Sequence, residues 1–310
     1  MGPTLPAGVQ PAFPLARLTT VRTGGTAEFF ARPATVEQLV ELLAWAHAND
    51  HEVGVVGSGS NLLVADEGVR GLVMKLDKDL AQIERDGTHL RCGGGARLPA
   101  VSARAANAGL TGIEFGVNIP GTVGGAVRMN ANAYGGELAR VLEHVDVATA
   151  QGVDRRTPDQ LGFAYRRSNL GPGEVVAQAS FALAPAPVEQ VKGTLADMRA
   201  KRKAAQPSGI KTFGSTFRNP EDPRAEGRTA GQLLDAAGCR GLRVGGAGFS
   251  EKHANFVENH GRASTADVLA LMAEGRRRVH EAFGIVLEPE VQILGEPDWP
   301  ETWHLRGQTP

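Results

Sequence analysis

The chain has 310 residues, with 33 Lys plus Arg against 34 Asp plus Glu, so its formal net charge is −1. That balance gives no electrostatic case for nucleic acid or an anionic membrane as a partner. Charged residues make up 22% and hydrophobic residues 42%, a globular composition, and the length predicts about two domains.

No apolar run approaches the ~20 residues of a membrane span. Met1 to Thr20 lacks the basic region and apolar stretch of a secretory signal. The two cysteines, Cys92 and Cys239, lie far apart and outside any Cys/His cluster. Neither a disulfide framework nor a metal site is expected, which fits a reducing cytoplasm.

In chain order, the spacing of Val36, Leu39, Val40 and Leu43 predicts a helix from Thr35 to Asn49, with Thr35 and Gln38 as a capping box. Strands follow at Glu52–Val56, Gly71–Leu76 and His89–Cys92, then a helix at Pro99–Ala108. This alternation is an α/β or α+β pattern. Further strands are expected at His144–Thr149 and Glu174–Leu183, then a polar helix at Val188–Ala204. Its Lys201-Arg-Lys203 end reads as a solvated face in a neutral chain. Pro207-Ser-Gly209 breaks it, which places the main boundary near residue 204. Helices are expected at Thr229–Ala237 and Ser264–Phe283, the second closed by Gly284, with a strand at Ile285–Leu294. Between them Leu242 to Asn259 is a Gly-rich loop or strand region. The tail from residue 296 has no periodicity and is expected to be loose.

Glycine is over-represented, with 40 residues against a usual share of about 7%. It concentrates in Gly57-Ser-Gly-Ser-Asn61, Gly93-Gly-Gly95 and Gly116 to Gly125. Glycine lets backbone N–H groups approach an anion closely, and Ser58, Ser60, Asn61 and Thr122 add side-chain donors. One such loop reads as a tight turn, whereas two long ones point to a pyrophosphate. The usual dinucleotide fingerprint is absent, because Leu62, Leu98 and Glu251 stand where its last glycine would be. The phosphate-loop motif ending in Gly-Lys-Ser/Thr is missing as well.

Six ordered segments carry a resemblance. They are Thr23-Gly-Gly-Thr-Ala27, Val56-Gly-Ser-Gly-Ser-Asn-Leu-Leu63, Ile119-Pro-Gly-Thr-Val-Gly-Gly-Ala126 with Met129-Asn-Ala-Asn-Ala-Tyr-Gly135, Phe163-Ala-Tyr-Arg-Arg-Ser168, Gly214-Ser-Thr-Phe-Arg-Asn-Pro220 and Leu287-Glu-Pro-Glu-Val291. From Leu18 to Gly295 the chain resembles the UDP-N-acetylenolpyruvoylglucosamine reductases, flavoproteins of early peptidoglycan synthesis. The resemblance implies an α+β fold: a vanillyl-alcohol-oxidase-type FAD-binding region of two α/β subdomains, residues 1–204, and a C-terminal α/β substrate-binding domain, residues 205–295. It implies that NADPH reduces FAD, which then reduces the enolpyruvyl ether of a UDP-sugar.

The resemblance places FAD along Val56, Gly57, Ser58, Gly59, Ser60, Asn61 and Leu62, and along Ile119, Pro120, Gly121, Thr122, Val123, Gly124 and Gly125. Val53 to Glu67 contains no His or Cys, so the flavin is expected to be non-covalent. Cys92 reads as a small buried residue. Hydride addition to the vinyl carbon leaves charge on the substrate carboxylate, and a proton must then reach the neighbouring carbon. Arg166 matches the family's catalytic arginine, and a guanidinium can fork onto that carboxylate. Glu290 matches the catalytic glutamate, expected to hold or share a proton beside the growing charge. Ser215 matches the proton donor. Residue types alone separate neither Arg166 from Arg167 nor Ser215 from a turn serine. Glu288, two residues before Glu290, is expected on the opposite face. Tyr165, Lys211, Asn219, Lys252 and His253 are candidate substrate contacts, and a structural histidine is an equal reading of His253.

Arg218 stands where the family commonly has Lys, and Phe213 where a smaller residue is frequent. Tyrosine occurs only at 134 and 165, and the stretch from Arg166 to Ser215 is short. The chain thus resembles the shorter subclass, which lacks a tyrosine-bearing loop. Competing readings are another FAD oxidase of the same fold acting on an alcohol or lactone, and a flavin or nucleotide-sugar binding protein without catalysis. Small molecules, rather than nucleic acid, membrane or an obligatory protein partner, are the expected ligands.

Overall fold

The computed structural model describes residues 5–207 and 209–303, and contacts divide them into two units. The first holds the described residues up to Phe13, with Ala27–Ser58 and Arg70–Ala204. The second holds Pro14–Thr26, Gly59–Val69 and the described residues from Ala205 onward. The chain therefore changes unit several times, the last time between Ala204 and Ala205. Ser208 of the expected helix break and residues 304–310 of the expected tail lie outside the described residues.

The first unit is built on two sheets. One has the order Gln10–Pro14, Thr26–Ala31, Val69–Met74, Val53–Val55, the last two running parallel with Val53 opposite Leu72. The other is antiparallel throughout, in the order Gly152–Arg156, Leu142–Thr149, Val175–Ala182, His89–Gly93, Ile83–Asp86. Its central strand Val175–Ala182 is buried on both faces. Val175 and Ala177 join one apolar cluster and Val176, Ala179 and Phe181 the other, the alternation shifting at the irregular pairing between Val176 and Gln178.

Helix α1 (Val36–Ala48) covers the first of these faces. Its Leu39, Leu42, Leu43 and Ala46 pack with Leu72 and Met74 of one sheet and with Ala148, Val175 and Ala177 of the other. Thr35 Oγ1 accepts from the Gln38 N–H at 3.3 Å, as expected of a cap. Gln38 Oε1, however, accepts from Ala34 N at 2.9 Å, so the reciprocal half of the box is displaced by one residue. Helix α2 (Leu98–Asn107) starts at a proline-containing first turn.

Helix α3 (Val123–Arg128) occupies part of the stretch read as a loop. Two of its residues are glycines, so intrinsic propensity opposes it. It is held from outside, because Val123 N donates to Ala96 O at 2.8 Å and Gly124 N to Gly94 O at 2.7 Å. Helix α4 (Val188–Ala205) buries only Val191 and Leu195, in agreement with a solvated basic face.

In the second unit α5 (Ala230–Ala236) and α6 (Thr265–Phe283) pack with an antiparallel sheet of Arg243–Val244, Ala247–Phe249 and Val257–Asn259. Thr229 with Gln232, and Ser264 with Asp267, form complete capping boxes. Gly284 closes α6 at φ 68°, where a side chain would be strained. Asp66, from an early segment, accepts from the N–H groups of Thr265 and Ala266, both at 2.9 Å. The core joins Phe213, Phe217, Phe249 and Met272 to Val21 and Leu63.

The strand expected over Ile285–Leu294 shortens to Gln292–Leu294, which runs parallel to Leu62–Val64. Before it, Pro289 faces Phe217 in an isolated antiparallel bridge, flanked by the bonds Arg218 N to Glu288 O and Glu290 N to Thr216 O. Part of the tail expected to be loose is packed. Arg276, 5% exposed, donates to Leu287 O at 3.1 Å and to Trp303 O, and lies 4.7 Å from the Trp303 ring centre. Among the described residues no helix is long and apolar enough to cross a membrane, and no His/Cys/Asp/Glu group is arranged to hold a metal.

Candidate functional site

In the first unit, Val56 extends its sheet by donating to Met74 O at 2.8 Å and is buried. A Cβ on Gly57 would lie 2.4 Å from Thr122 Oγ1, so the loop Ile119–Gly125 meets Gly57 only because that residue has no side chain. Lys75 Nζ donates to the Gly57 carbonyl. Ile119 N donates to Gly116 O at 3.1 Å, and Leu98 N to Gly121 O at 3.0 Å. With Val123 and Gly124 bonded as above, and Pro120 lacking an N–H, only some amides of the loop can serve a ligand. Gly121, Thr122 and Gly125 keep N–H groups with no protein acceptor among the described residues. A Cβ on Gly121 would meet nothing closer than 3.8 Å, and one on Gly125 nothing closer than 3.6 Å. Packing does not demand glycine at either place, since a Cβ would make only one ordinary contact.

The other flavin-assigned loop passes from Ser58 in the first unit to Gly59–Leu62 in the second. Gly59 has φ 63°, and a Cβ there would lie 2.0 Å from Leu18 O. Its carbonyl accepts from Thr20 N at 3.0 Å. The hydroxyls of Ser58 and Ser60 are half-buried and bond no protein group among the described residues. Asn61 is employed structurally. Its carbonyl accepts from Gln292 N at 3.1 Å, and its Nδ2 donates to Glu290 O at 3.3 Å. Leu62 pairs with Gln292.

Arg166, also in the first unit, sits in a two-residue turn. Ala164 and Arg167 exchange N–H···O bonds of 3.0 and 3.1 Å, with Tyr165 and Arg166 at the tip. Arg166 has φ 55°, a left-handed conformation that costs a non-glycine residue about 1 kcal/mol or more. Its Nη1 donates to Asn132 O at 3.3 Å and Asn132 Oδ1 at 3.2 Å, and its guanidinium lies 5.4 Å from the centre of the exposed Tyr165 ring. Arg167 is exposed and has ordinary backbone geometry. The two neighbouring arginines therefore differ in backbone conformation and in side-chain bonding.

Ser215 and Glu290 belong to the second unit, where backbone segments lie side by side. Gly214, at φ 85°, leads into Ser215, which bridges Phe256. Thr216 N donates to Asn255 O at 2.8 Å. The Asn255 side chain then imitates a strand, accepting from Phe217 N at 2.9 Å and donating to Phe217 O at 2.8 Å. On the opposite edge Glu290 N donates to Thr216 O at 2.8 Å and Arg218 N to Glu288 O at 2.9 Å. Phe213 and Phe217 are fully buried, which accounts for a large residue at 213. Thr216 Oγ1 and Arg218 Nε are buried without a hydrogen-bond partner among the described residues. The Glu288 side chain is exposed, with its Oε1 3.9 Å from Arg276 Nη2.

The other candidates divide. Lys211 and Lys252 are exposed, and Lys252 lines a surface depression of about 300 Å³ with Arg243, Glu258 and His260. Asn219 Oδ1 accepts from Ala230 N at 3.1 Å, so this residue holds the start of α5. His253 is packed and hydrogen-bonded within the second unit. Its Nδ1 accepts from Asn255 N at 3.3 Å, its ring lies 4.8 Å from that of Phe256, and a Cβ on Gly231 would fall 2.8 Å from it. Burial, reinforced by Arg240, lowers its pKa below the ordinary 6.5 despite a backbone hydrogen bond that opposes the shift. Cys92 and Cys239 are buried thiols, pushed up to about 12 and about 11 mainly by desolvation. Asn132 and Asn255 were not singled out from sequence. Asn132 lay inside a motif already noted, whereas nothing local marks Asn255.

Two family models match the chain: a UDP-N-acetylenolpyruvoylglucosamine reductase C-terminal domain over residues 206–294 and an FAD binding domain over residues 27–157. UDP-N-acetylenolpyruvoylglucosamine reductase 2 of Symbiobacterium thermophilum is 43% identical over 296 residues, covering 95% of this chain and 94% of that one. The protein named UDP-N-acetylenolpyruvoylglucosamine reductase from Rhizorhabdus wittichii is 47% identical over 290 residues, covering 91% of each. The crystal structure of the Thermus caldophilus UDP-N-acetylenolpyruvylglucosamine reductase superposes with a TM-score of 0.80 at 37% identity, covering 94% of this chain and 99% of that one.

Proposed function

Since the chain belongs to the UDP-N-acetylenolpyruvoylglucosamine reductase family, and is an FAD-dependent oxidoreductase of peptidoglycan synthesis, we propose that it reduces UDP-N-acetylglucosamine enolpyruvate to UDP-N-acetylmuramate with NADPH. Its fold is the α+β vanillyl-alcohol-oxidase type, two α/β flavin-binding subdomains with a C-terminal α/β domain. The reading gives flavin binding to the region up to about 204 and substrate binding to 205–295.

The residues present fit a flavin. Gly121 and Gly125 present backbone without a side chain, and their N–H groups, with that of Thr122, are suited to pyrophosphate or ring oxygens. Val56–Leu62 is the other segment assigned to the flavin, with the hydroxyls of Ser58 and Ser60 as donors. No His or Cys lies in Val53–Glu67, so binding is non-covalent. Once reduced by NADPH, bound FAD supplies the hydride.

The roles of the side chains follow from where charge and proton must go. When hydride adds to the vinyl carbon, the substrate's electron pair moves toward its carboxylate. Arg166, permanently charged and already oriented by Asn132, stabilises that carboxylate. Ser215 gives its hydroxyl proton to the neighbouring carbon. Glu290, holding or sharing a proton, lowers the cost of the same charge. Tyr165, Lys211 and Lys252 are assigned to substrate contact, while Asn219 and His253 act through structure.

The observation that supports this reading most directly is the backbone pairing of Glu290 with Thr216, next to Ser215, flanked by the unmet polar atoms of Thr216 and Arg218. The test is an anaerobic visible spectrum. NADPH should bleach the flavin, and UDP-N-acetylglucosamine enolpyruvate should restore its colour. Bleaching without recovery would reject the substrate, and a colourless protein that takes up no FAD would reject the flavin assignment.

A further inference from the structure

Arg166 occupies a strained turn, so something must hold it there. Three residues of one short segment, spaced by two, grip the loop that carries it. Arg128, at the end of α3, donates to three carbonyls: Leu170 O at 3.2 Å, Gly171 O at 3.2 Å and Glu174 O at 3.1 Å. Its own carbonyl accepts from Ser168 Oγ at 2.9 Å. Asn130 Nδ2 lies 3.3 Å from Ala164 O and 2.8 Å from Glu137 Oε1. Asn132 takes the Arg166 guanidinium on both its carbonyl and its side chain.

Two further features show that this segment is under constraint. Asn130 is 1% exposed with φ 39°, and its Oδ1 is buried without a hydrogen-bond partner among the described residues. A left-handed asparagine with an unmet acceptor persists only where surrounding contacts over-determine it. The segment also continues directly from Ile119–Gly125 through α3, so the assigned flavin loop and the Arg166 turn are joined by one run of chain. Glu174 is fixed in turn by Arg156 at 2.5 Å and by Gly171 N at 2.7 Å.

We propose that Arg128, Asn130 and Asn132 are positioning residues that splint the Arg166 turn to the flavin-lining loop. The inference rests on the role given to Arg166 above. None of the three needs to touch substrate. Their task is to keep one guanidinium in a left-handed turn, where a displacement of about 1 Å can cost on the order of 100-fold in rate.

The test uses the full-length FAD-loaded protein and stopped-flow measurement of each half-reaction. Asn132→Ala should leave bound FAD and its bleaching by NADPH at parental levels. Recovery on adding the enolpyruvyl substrate should slow by about 10- to 100-fold, with little change in substrate concentration dependence. Arg128→Ala should act alike, and Arg128→Lys should not rescue it, because an ammonium cannot reproduce the planar fork that spans three carbonyls. Asn132→Ala in an Arg166→Ala background should add nothing further. Equal slowing of both half-reactions, or a full additional effect in the double variant, would overturn the splint. If Arg166→Ala itself leaves recovery unchanged, the role of Arg166 fails first and the splint with it. If Arg166→Ala is slow while Asn132→Ala and Arg128→Ala are normal, only the splint fails.

Discussion

Glu290 donates its N–H to the carbonyl of Thr216 at 2.8 Å, and this one bond ties the C-terminal Leu287–Val291 segment to the turn that begins at Gly214. Ser215 is the residue before Thr216, so its backbone and that of Glu290 are fixed to one another. The same short strip is fastened on its far edge by Asn255, which meets both the N–H and the carbonyl of Phe217. A serine and a glutamate 75 positions apart in sequence thus share one backbone frame.

Removing the hydroxyl separates the two half-reactions. Ser215→Ala should keep FAD and its reduction by NADPH while slowing substrate-driven reoxidation by about 10²- to 10⁴-fold. Rapid-mixing absorbance reads both steps in one sample. Parental reoxidation would remove Ser215 from proton delivery.

Two glycines should behave in opposite ways. Gly57→Ala would force a methyl to within 2.4 Å of Thr122 Oγ1, an overpacking cost of about 1–3 kcal/mol even without flavin. Gly121→Ala meets nothing within 3.8 Å, so the flavin-free protein should be as stable as the parent or gain about 0.4–1 kcal/mol. Its FAD affinity should fall, because the methyl enters the space assigned to the cofactor. Denaturation of flavin-free protein and FAD titration give the two readings. Unaltered FAD binding in Gly121→Ala would place the flavin elsewhere.

Asn255 is 4% exposed, and its amide satisfies two backbone groups of Phe217. Asn255→Ala leaves both buried and unmet, at a cost of about 2–4 kcal/mol. Asn255→Asp keeps the acceptor but loses the donor and adds a charge, so it should also destabilise. Chemical denaturation measures either, and a change below about 0.5 kcal/mol would show that water replaces the amide.

His253 gives a pH dependence with a definite sign. Its folded ring resists protonation, whereas an unfolded histidine protonates near 6.5. Below that pH the unfolded chain binds more protons, so stability is full above about 6.5 and declines as pH falls through it. The decline levels off once the folded ring also protonates. His253→Gln should flatten this part of the curve, seen as a smaller loss of denaturation midpoint between mildly alkaline and mildly acidic buffer. A slope equal to the parent's would assign the effect to other groups.

What could be read from sequence was what short-range chemistry decides. Thr35 and Gly284 mark helix ends through bonds and angles confined to a few residues, and both stand where expected. Helix α3 was missed because its first amides are met by Gly94 and Ala96, which are remote in sequence and supply what its own glycines withhold. The last strand is shorter than the buried run of Ile285, Leu287 and Val291 suggests, because pairing before Gln292 is limited to the isolated bridge between Phe217 and Pro289. At the site, residue types nominated Arg166, Ser215 and Glu290 only through resemblance. The left-handed φ of Arg166, the strand-like amide of Asn255 and the capping role of Asn219 depend on contacts across long separations.

The second unit's core contains Val21 and Leu63, and Asp66 accepts the first two amides of α6. Those residues leave the ribosome long before Phe213 and Phe249 exist to cover them. The early segments must therefore wait, their apolar side chains exposed, while the whole first unit is made. Folding of the second unit on the nascent chain can finish only after Val291 has emerged, and a fragment starting at residue 205 would lack part of its own interior. A premature stop within α6 should accordingly yield a finished first unit carrying sticky, unpaired strips, a species for chaperones and proteases to recognise rather than a stable half-enzyme.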